Sequence, residues 1–188
     1  MRPAENPFRM SRLDALSFRE DGFCHDRLLT RLENMRFRGA IVGPHGSGKS
    51  TLLGELGPQL EARGFKLCSL FINADRDSGS FRDVLRRVRT VDARTMVLFD
   101  GGCHLNAAEW LWFRLQTGHA AGVLITAHEE GRLPTVFRTR TSVDLLIELY
   151  DELAESGHRR PDLRALFDSA GGNLRLALRD CYWLAARG

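Results

Sequence analysis

Eight consecutive residues, Gly43-Pro44-His45-Gly46-Ser47-Gly48-Lys49-Ser50, limit what this chain can fold into more than any other stretch. They match G-x-x-x-x-G-K-[ST] at every fixed position. A short apolar run, Ala40-Ile41-Val42, leads into them, and Thr51-Leu52-Leu53-Gly54-Glu55-Leu56 reads as the first turns of a helix. Strand, glycine loop and helix are the context that gives this spacing a physical meaning. Glycines let the backbone wrap closely enough for successive N–H groups and the helix N-terminus to point at one anion. In such a loop the Lys49 ammonium reaches the β- and γ-phosphates of a nucleotide, and the Ser50 hydroxyl ligates Mg²⁺. Gly43 to Ser50, together with Thr51, are therefore the expected nucleotide contacts, with ATP and Mg²⁺ as the expected ligands.

The rest of the chain alternates around this loop. Strands are expected at Gly39–Val42, Lys66–Ile72, Thr95–Phe99 and Gly122–Thr126, and a weaker one at Thr135–Phe137. Between them lie helical patterns from Lys49 to Arg63, stopped by Gly64, from a capping box at Ser80-Phe81-Arg82-Asp83, and after Asn106. Asn106 would cap that last helix with Glu109 at its third position, and Leu111, Trp112 and Leu115 would share one face. Apolar strands alternating with amphipathic helices predict a parallel five-stranded sheet covered by helices on both faces. Residues 1–38, with helical spacing from Asp26 to Met35, read as an arm that packs over the sheet edge and borders the nucleotide base. Residues 39–140 form the core. Residues 141–188 are all helical, with a helix from Thr141-Ser142-Val143-Asp144 to about Glu155 and, after Gly157–Pro161, helices at Asp162–Ser169 and Asn173–Ala186.

Composition narrows the class without naming it. At 188 residues, 43% apolar and 27% charged, the chain suits one globular domain with an appendage. No run of about 18 apolar residues is present and the N-terminus lacks a hydrophobic signal, so no membrane partner and a cytoplasmic location are expected. Cys24, Cys68, Cys103 and Cys181 are scattered, which suits reduced thiols. Cys103-His104 and Cys24-His25 lack paired ligands at zinc spacing, so metal there is disfavoured. The net charge of +3 does not indicate nucleic acid, though it does not exclude it. Among 27 basic residues, lysine occurs only at Lys49 and Lys66. A genome bias toward arginine explains that, and it makes Lys49 stand out where a compact ammonium is wanted.

A second signal is Met96-Val97-Leu98-Phe99-Asp100, an apolar strand ending in a carboxylate. An acid at the C-terminal end of a buried strand would hold Mg²⁺ together with Ser50. One strand lies between the glycine-loop helix and Asp100. That arrangement resembles the additional-strand class of P-loop ATPases. Over residues 39–140, and more loosely in the tail, the chain resembles a compact AAA-type ATPase. The resemblance implies a sensor role for Thr126 or His128, at the end of strand four, toward the γ-phosphate or the attacking water. It maps Arg175, within Gly171-Gly172-Asn173-Leu174-Arg175, onto the sensor arginine of a helical lid. The plainer readings stay open: polar residues at a strand end for the first pair, a solvated helix face for Arg175. Arg132, Arg138 and Arg140 fall where relatives carry an arginine finger, but surface charge is the preferred reading. ABC transporters share such a loop, yet no L-S-G-G-Q follows here.

One departure matters. The resemblance implies a glutamate after the aspartate, and here Asp100 is followed by Gly101-Gly102-Cys103-His104. Glu109, Glu129 and Glu130 are candidate substitutes, and His104 could position a water; Glu109 also reads as a first-turn residue stabilised by the helix N-terminus. Three functions follow: a slow Mg-ATPase using lid movement on a protein partner or a second copy of itself, an ATP-dependent switch with negligible turnover, and, less favoured, a small-molecule kinase suggested by the arginines of Arg82-Arg86-Arg87-Arg89.

Overall fold

The computed structural model describes residues 6–20, 22–73, 78–154 and 160–187, with 78–80 and 187 in backbone alone. The helix expected to start at Ser80 begins at Ser78, so Ser80 lies inside it and not at its cap; the Ser80 side chain, the helix end at Glu155 and most of the Gly157–Pro161 connection lie outside the described residues. The chain forms two compact units. One comprises Gly22–Gly43 and Leu52–Arg138; the other comprises Met1–Asp21, Pro44–Thr51 and Thr139–Gly188.

The first unit is built on a parallel five-stranded sheet. Its strands are β1 (Arg38–Val42), β2 (Lys66–Phe71), β3 (Thr95–Asp100), β4 (Gly122–Ala127) and β5 (Thr135–Arg138), in the order β2-β3-β4-β1-β5. All four pairings are parallel. β4 is buried at every residue and β3 at all but its last, so both faces of the central sheet are covered. That burial on consecutive residues explains why these strands read as continuous apolar runs instead of alternating ones.

The strand order has a direct consequence. β3 is not the neighbour of β1; β4 lies between them. In register, Phe99 pairs with Ile125 and Ile41 with Thr126. The C-terminal ends of β1, β3 and β4 therefore line up along one edge of the sheet, where the Gly43 N–H donates to the Ala127 carbonyl at 3.1 Å.

Helices α2 (His25–Asn34), α4 (Ser78–Val88) and α5 (Ala107–Gln116) belong to this unit. Helix α3 (Lys49–Ala62) starts in the glycine loop and stops two residues before Gly64, whose φ of +89° turns the chain away. Leu52, Leu56 and Leu60, spaced one turn apart, are fully buried, each stabilising the core by about 1.5–3 kcal/mol. α2 packs on the edge strand β5, burying Leu28, Leu29 and Leu32. Helix α5 has the expected capping box: Asn106 Oδ1 accepts the Glu109 N–H, and Glu109 Oε2 accepts the Asn106 N–H. Its buried face differs from the expected one. Phe113 is buried with Trp110 stacked on it, whereas Leu111 and Leu115 are 58% and 69% exposed. The sequence Trp110-Leu111-Trp112-Phe113-Arg114-Leu115 holds apolar residues all round, so spacing could not choose the side.

The second unit is helical. Helices α1 (Met10–Leu13), α6 (Val143–Leu153), α7 (Leu163–Ser169) and α8 (Leu174–Arg187) surround a core of Phe8, Leu146, Leu149, Tyr150, Leu163, Leu174 and Leu178. Ser142, Asp162 and Asn173 cap α6, α7 and α8 through side-chain oxygens that accept N–H groups three residues on. Phe8 stacks on Tyr150 with ring centroids 5.0 Å apart, and Asn6 Nδ2 donates to the Tyr182 carbonyl at 2.9 Å. Residues 6–20 thus pack among the C-terminal helices, while α2 of the same N-terminal stretch packs on the sheet. Among the described residues no helix is long and apolar enough to cross a membrane.

Candidate functional site

The glycine loop takes the conformation that its glycines allow. Gly46 and Gly48 have φ of +70° and +82°, a region that L side chains rarely occupy. Space is the second constraint. A Cβ on Gly46 would stand 1.9 Å from Asn173 Oδ1 and 3.2 Å from the Arg175 backbone nitrogen, so the capped start of α8 lies directly on the loop. A Cβ on Gly48 would meet the Phe18 ring at 3.0 Å.

Side chains hold the loop in place. Ser47 Oγ donates to the Pro44 carbonyl at 2.8 Å, so the 2.6 Å bond between Ser47 and Thr139 has Thr139 as donor. Lys49 is 7% exposed, and its ammonium donates to the same Pro44 carbonyl at 2.6 Å. A carbonyl that accepts from a buried cation and a hydroxyl fixes the start of the loop relative to the start of α3.

Beside the loop opens a cavity of about 220 Å³. One side is polar: Gly46, Ser47, Gly48, Lys49, Ser50 and Thr51. The other is apolar, built from Leu13, Leu16 and Phe18 of the N-terminal stretch and Leu145, Leu149, Leu174 and Leu178 of α6 and α8. Ser17 and two arginines, Arg19 and Arg175, complete the lining. The arginine charges are partnered: Arg175 Nη2 donates to Asp14 Oδ1 at 2.8 Å, and Arg19 lies 2.8 Å from Glu152 Oε2. Both pairs are substantially exposed, so each contributes little and can be exchanged cheaply. Sequence reasoning missed Leu13, Leu16 and Phe18. An aromatic in an irregular arm has no spacing that announces it.

Asp100 and Thr126 meet at the C-terminal edge of the sheet. Thr126 is 2% exposed; its hydroxyl donates to Asp100 Oδ1 at 2.6 Å and accepts the Gly101 N–H at 2.9 Å. The one proton of that hydroxyl is committed to the carboxylate, so Thr126 orients Asp100 (a positioning residue here). A side chain at the next position would be strained. Gly101 has φ +84°, and a Cβ there would lie 1.9 Å from the Ile72 carbonyl oxygen. The Gly102–His104 turn that follows brings Cys103 and His104 beside His128.

Several other residues singled out from sequence are engaged elsewhere. Glu109 is used in the α5 cap. Glu130 accepts from Thr135 Oγ1 and from Arg138. Arg132 donates to the Leu105 carbonyl and lies over Trp110, 5.0 Å from its ring centroid. Glu129 and Arg140 are exposed.

No protein-family model matches the chain, and no curated protein matches it significantly. The class that the fold defines is a parallel five-stranded α/β protein, compatible with a P-loop nucleotide-binding fold.

Proposed function

We propose that this chain binds Mg-ATP through the Gly43–Thr51 segment and acts as a slow AAA-type ATPase. The observation that supports this most is the pairing, in one cavity, of a glycine loop carrying a buried lysine with an apolar wall. A nucleotide needs both: close backbone approach, a cation and a helix N-terminus for its phosphates, and a dry surface for its base. The donor set fits that ligand. Lys49 sits at the first residue of α3, Ser50 beside it offers a hydroxyl to Mg²⁺, and Gly46 and Gly48 leave room where a Cβ would not fit. Mg²⁺ would neutralise phosphate charge, with Ser50 and Asp100 as its protein ligands.

In this reading Lys49 leaves the Pro44 carbonyl for the phosphates, and Arg175 leaves Asp14 for the nucleotide's anionic end. Exchange of an exposed ion pair for a charge-assisted bond to phosphate favours the bound state. Because Arg175 and Asn173 open α8, binding would be read out by the C-terminal helices, the proposed lid. Phe18, Leu13 and Leu16 hold the base. His128 and Arg175 are the proposed sensors.

A second reading, an ATP-dependent switch with negligible turnover, is favoured by Gly101. The position that would bear the catalytic glutamate accepts a side chain only at the cost of strain, and Glu109 and Glu130 are engaged elsewhere. Calorimetric titration with Mg-ATP tests binding, and phosphate release separates the two readings. Absence of binding by the full chain removes both.

A further inference from the structure

The turn after Asp100 gathers donors of which the nucleotide reading uses only His128, the proposed sensor; Cys103 and His104 have no part in it. Cys103 and His104 come from the Gly102–His104 turn, and His128 from the residue that follows β4. A sulfur and two ring nitrogens, one from each residue, lie within 4.8 Å of one another, and all three side chains are partly buried. The two imidazole planes are inclined at 65° with centroids 6.0 Å apart. Sequence spacing offered only the Cys103-His104 pair; the parallel pairing of β3 with β4 supplies the third donor.

We propose that Cys103, His104 and His128 bind one zinc-class divalent transition metal ion, leaving a coordination position for water or an exchangeable ligand. The chemistry selects the class. A thiolate and two imidazoles suit zinc and its borderline neighbours, whereas Mg²⁺ takes oxygen ligands, so this site does not compete with the magnesium proposed at Ser50 and Asp100. Three protein ligands with a fourth position open is an arrangement zinc accepts. Bond lengths of about 2.3 Å to sulfur and 2.0–2.1 Å to nitrogen place tetrahedral donors roughly 3.3–3.6 Å apart. From within 4.8 Å the three donors therefore need to close by at most about 1.5 Å, within the reach of side-chain torsions.

The backbone that presents them is already fixed. Gly101 is held in its left-handed turn beneath the Ile72 carbonyl, and the His104 N–H donates to the Gly101 carbonyl at 3.0 Å. On the far side, buried Leu105 is gripped through its carbonyl by Arg132, which in turn lies over Trp110. A turn pinned at both ends orients ligands before the ion arrives, as a metal site requires. Binding releases the thiol proton of Cys103 to solvent as the sulfur–metal bond forms.

The test uses the full chain, stripped by chelation and titrated with Co²⁺ followed by Zn²⁺. We expect one equivalent of cobalt, the intense visible bands of a four-coordinate ion, a thiolate-to-metal charge-transfer band, and loss of all three on adding zinc. Cys103→Ser should abolish the charge-transfer band and weaken binding by more than about a hundredfold, beyond the usual effect of losing an outer-shell partner. His128→Ala should weaken it equally. His104→Ala, on the turn, makes the same test without touching the end of β4. Cys24→Ser, at an exposed cysteine outside the cluster, should change nothing. Absence of stoichiometric binding, a weak six-coordinate spectrum, or binding that survives Cys103→Ser would each overturn the site.

Discussion

Gly101→Ala is the most informative single change, because it adds one carbon at the point where resemblance to AAA-type ATPases would place a glutamate. Two costs arise. A left-handed φ such as the +84° of Gly101 costs a residue with a Cβ about 1–2 kcal/mol. The new Cβ would also lie 1.9 Å from the Ile72 carbonyl oxygen, so that carbonyl must retreat by more than about 1 Å to reach ordinary contact. It is not free to do so, since the Ile72 N–H bonds to the Asp100 carbonyl at 3.0 Å at the end of the β2–β3 pairing. Overpacking of this kind costs about 1–3 kcal/mol, for a total of about 2–5 kcal/mol. In a chain of this size that lowers the melting temperature by roughly 5–20 °C.

Gly64→Ala is the matched control. Gly64 has φ +89° with nothing within 4 Å of its Cβ position, so it isolates the backbone term. Differential scanning calorimetry of the two variants gives the clash by difference. Gly101→Glu should fall at least as far as Gly101→Ala and gain no turnover. If Gly101→Ala melts no lower than Gly64→Ala, the carbonyl yields freely, the exclusion of a glutamate is wrong, and the base could be installed.

Lys49→Ala should weaken Mg-ATP binding at least about tenfold, since a charge-assisted phosphate contact is worth about 1.5–3 kcal/mol; near wild-type affinity by calorimetry would remove the nucleotide reading. Asp100→Asn should reduce magnesium-dependent affinity or turnover and leave metal-free nucleotide binding nearly intact, whereas an equal loss without metal would make Asp100 structural. Thr126→Val strands the Gly101 N–H and frees Asp100, and should cost about 1–3 kcal/mol of stability, with Thr126→Ser restoring most of it. Cys181 is buried, and burial pushes its thiol up to about 11 from 9.0. The raised value favours the neutral thiol in the fold, so its contribution is complete below pH 9 and fades as pH rises toward 11. At neutral pH, mass spectrometry should find exposed Cys24 alkylated well before Cys181.

The sheet was legible because its central strands β3 and β4 are apolar at consecutive positions and helical patterns separate the strands. The bounds of β3, ending in Asp100, and the cap at Asn106 follow from local chemistry that tertiary context did not override. What stayed hidden depended on contact across the chain. The exposure of Leu111 and Leu115 follows from which side of α5 faces the sheet, and no spacing encodes that when every side is apolar. The short helix α1 and the place of Phe18 against Gly48 arise from residues 6–20 packing among helices more than a hundred residues away. Asp100, too, was visible as a strand-end acid, while its tether to Thr126 needed the β3–β4 register.

The same register explains why the departure after Asp100 is more than a missing group. A glutamate at this position would favour a backbone with negative φ. Here the chain instead turns left-handed under the Ile72 carbonyl, a turn that favours glycine, and passes at once into the Gly102–His104 segment. That turn is what sets Cys103 and His104 against His128. The residue that disfavours the base is therefore also the one that assembles the thiol and imidazoles. General-base assistance is typically worth about 10²–10⁴-fold in rate, so a chain that gives it up at this position should turn over far below the usual enzyme rate of about 10 s⁻¹. Phosphate release with Mg-ATP, measured on zinc-stripped and zinc-loaded protein, tests the loss of the base. Slow release in both forms fits a switch. Brisk release from zinc-stripped protein would mean that a base acts from elsewhere in the chain.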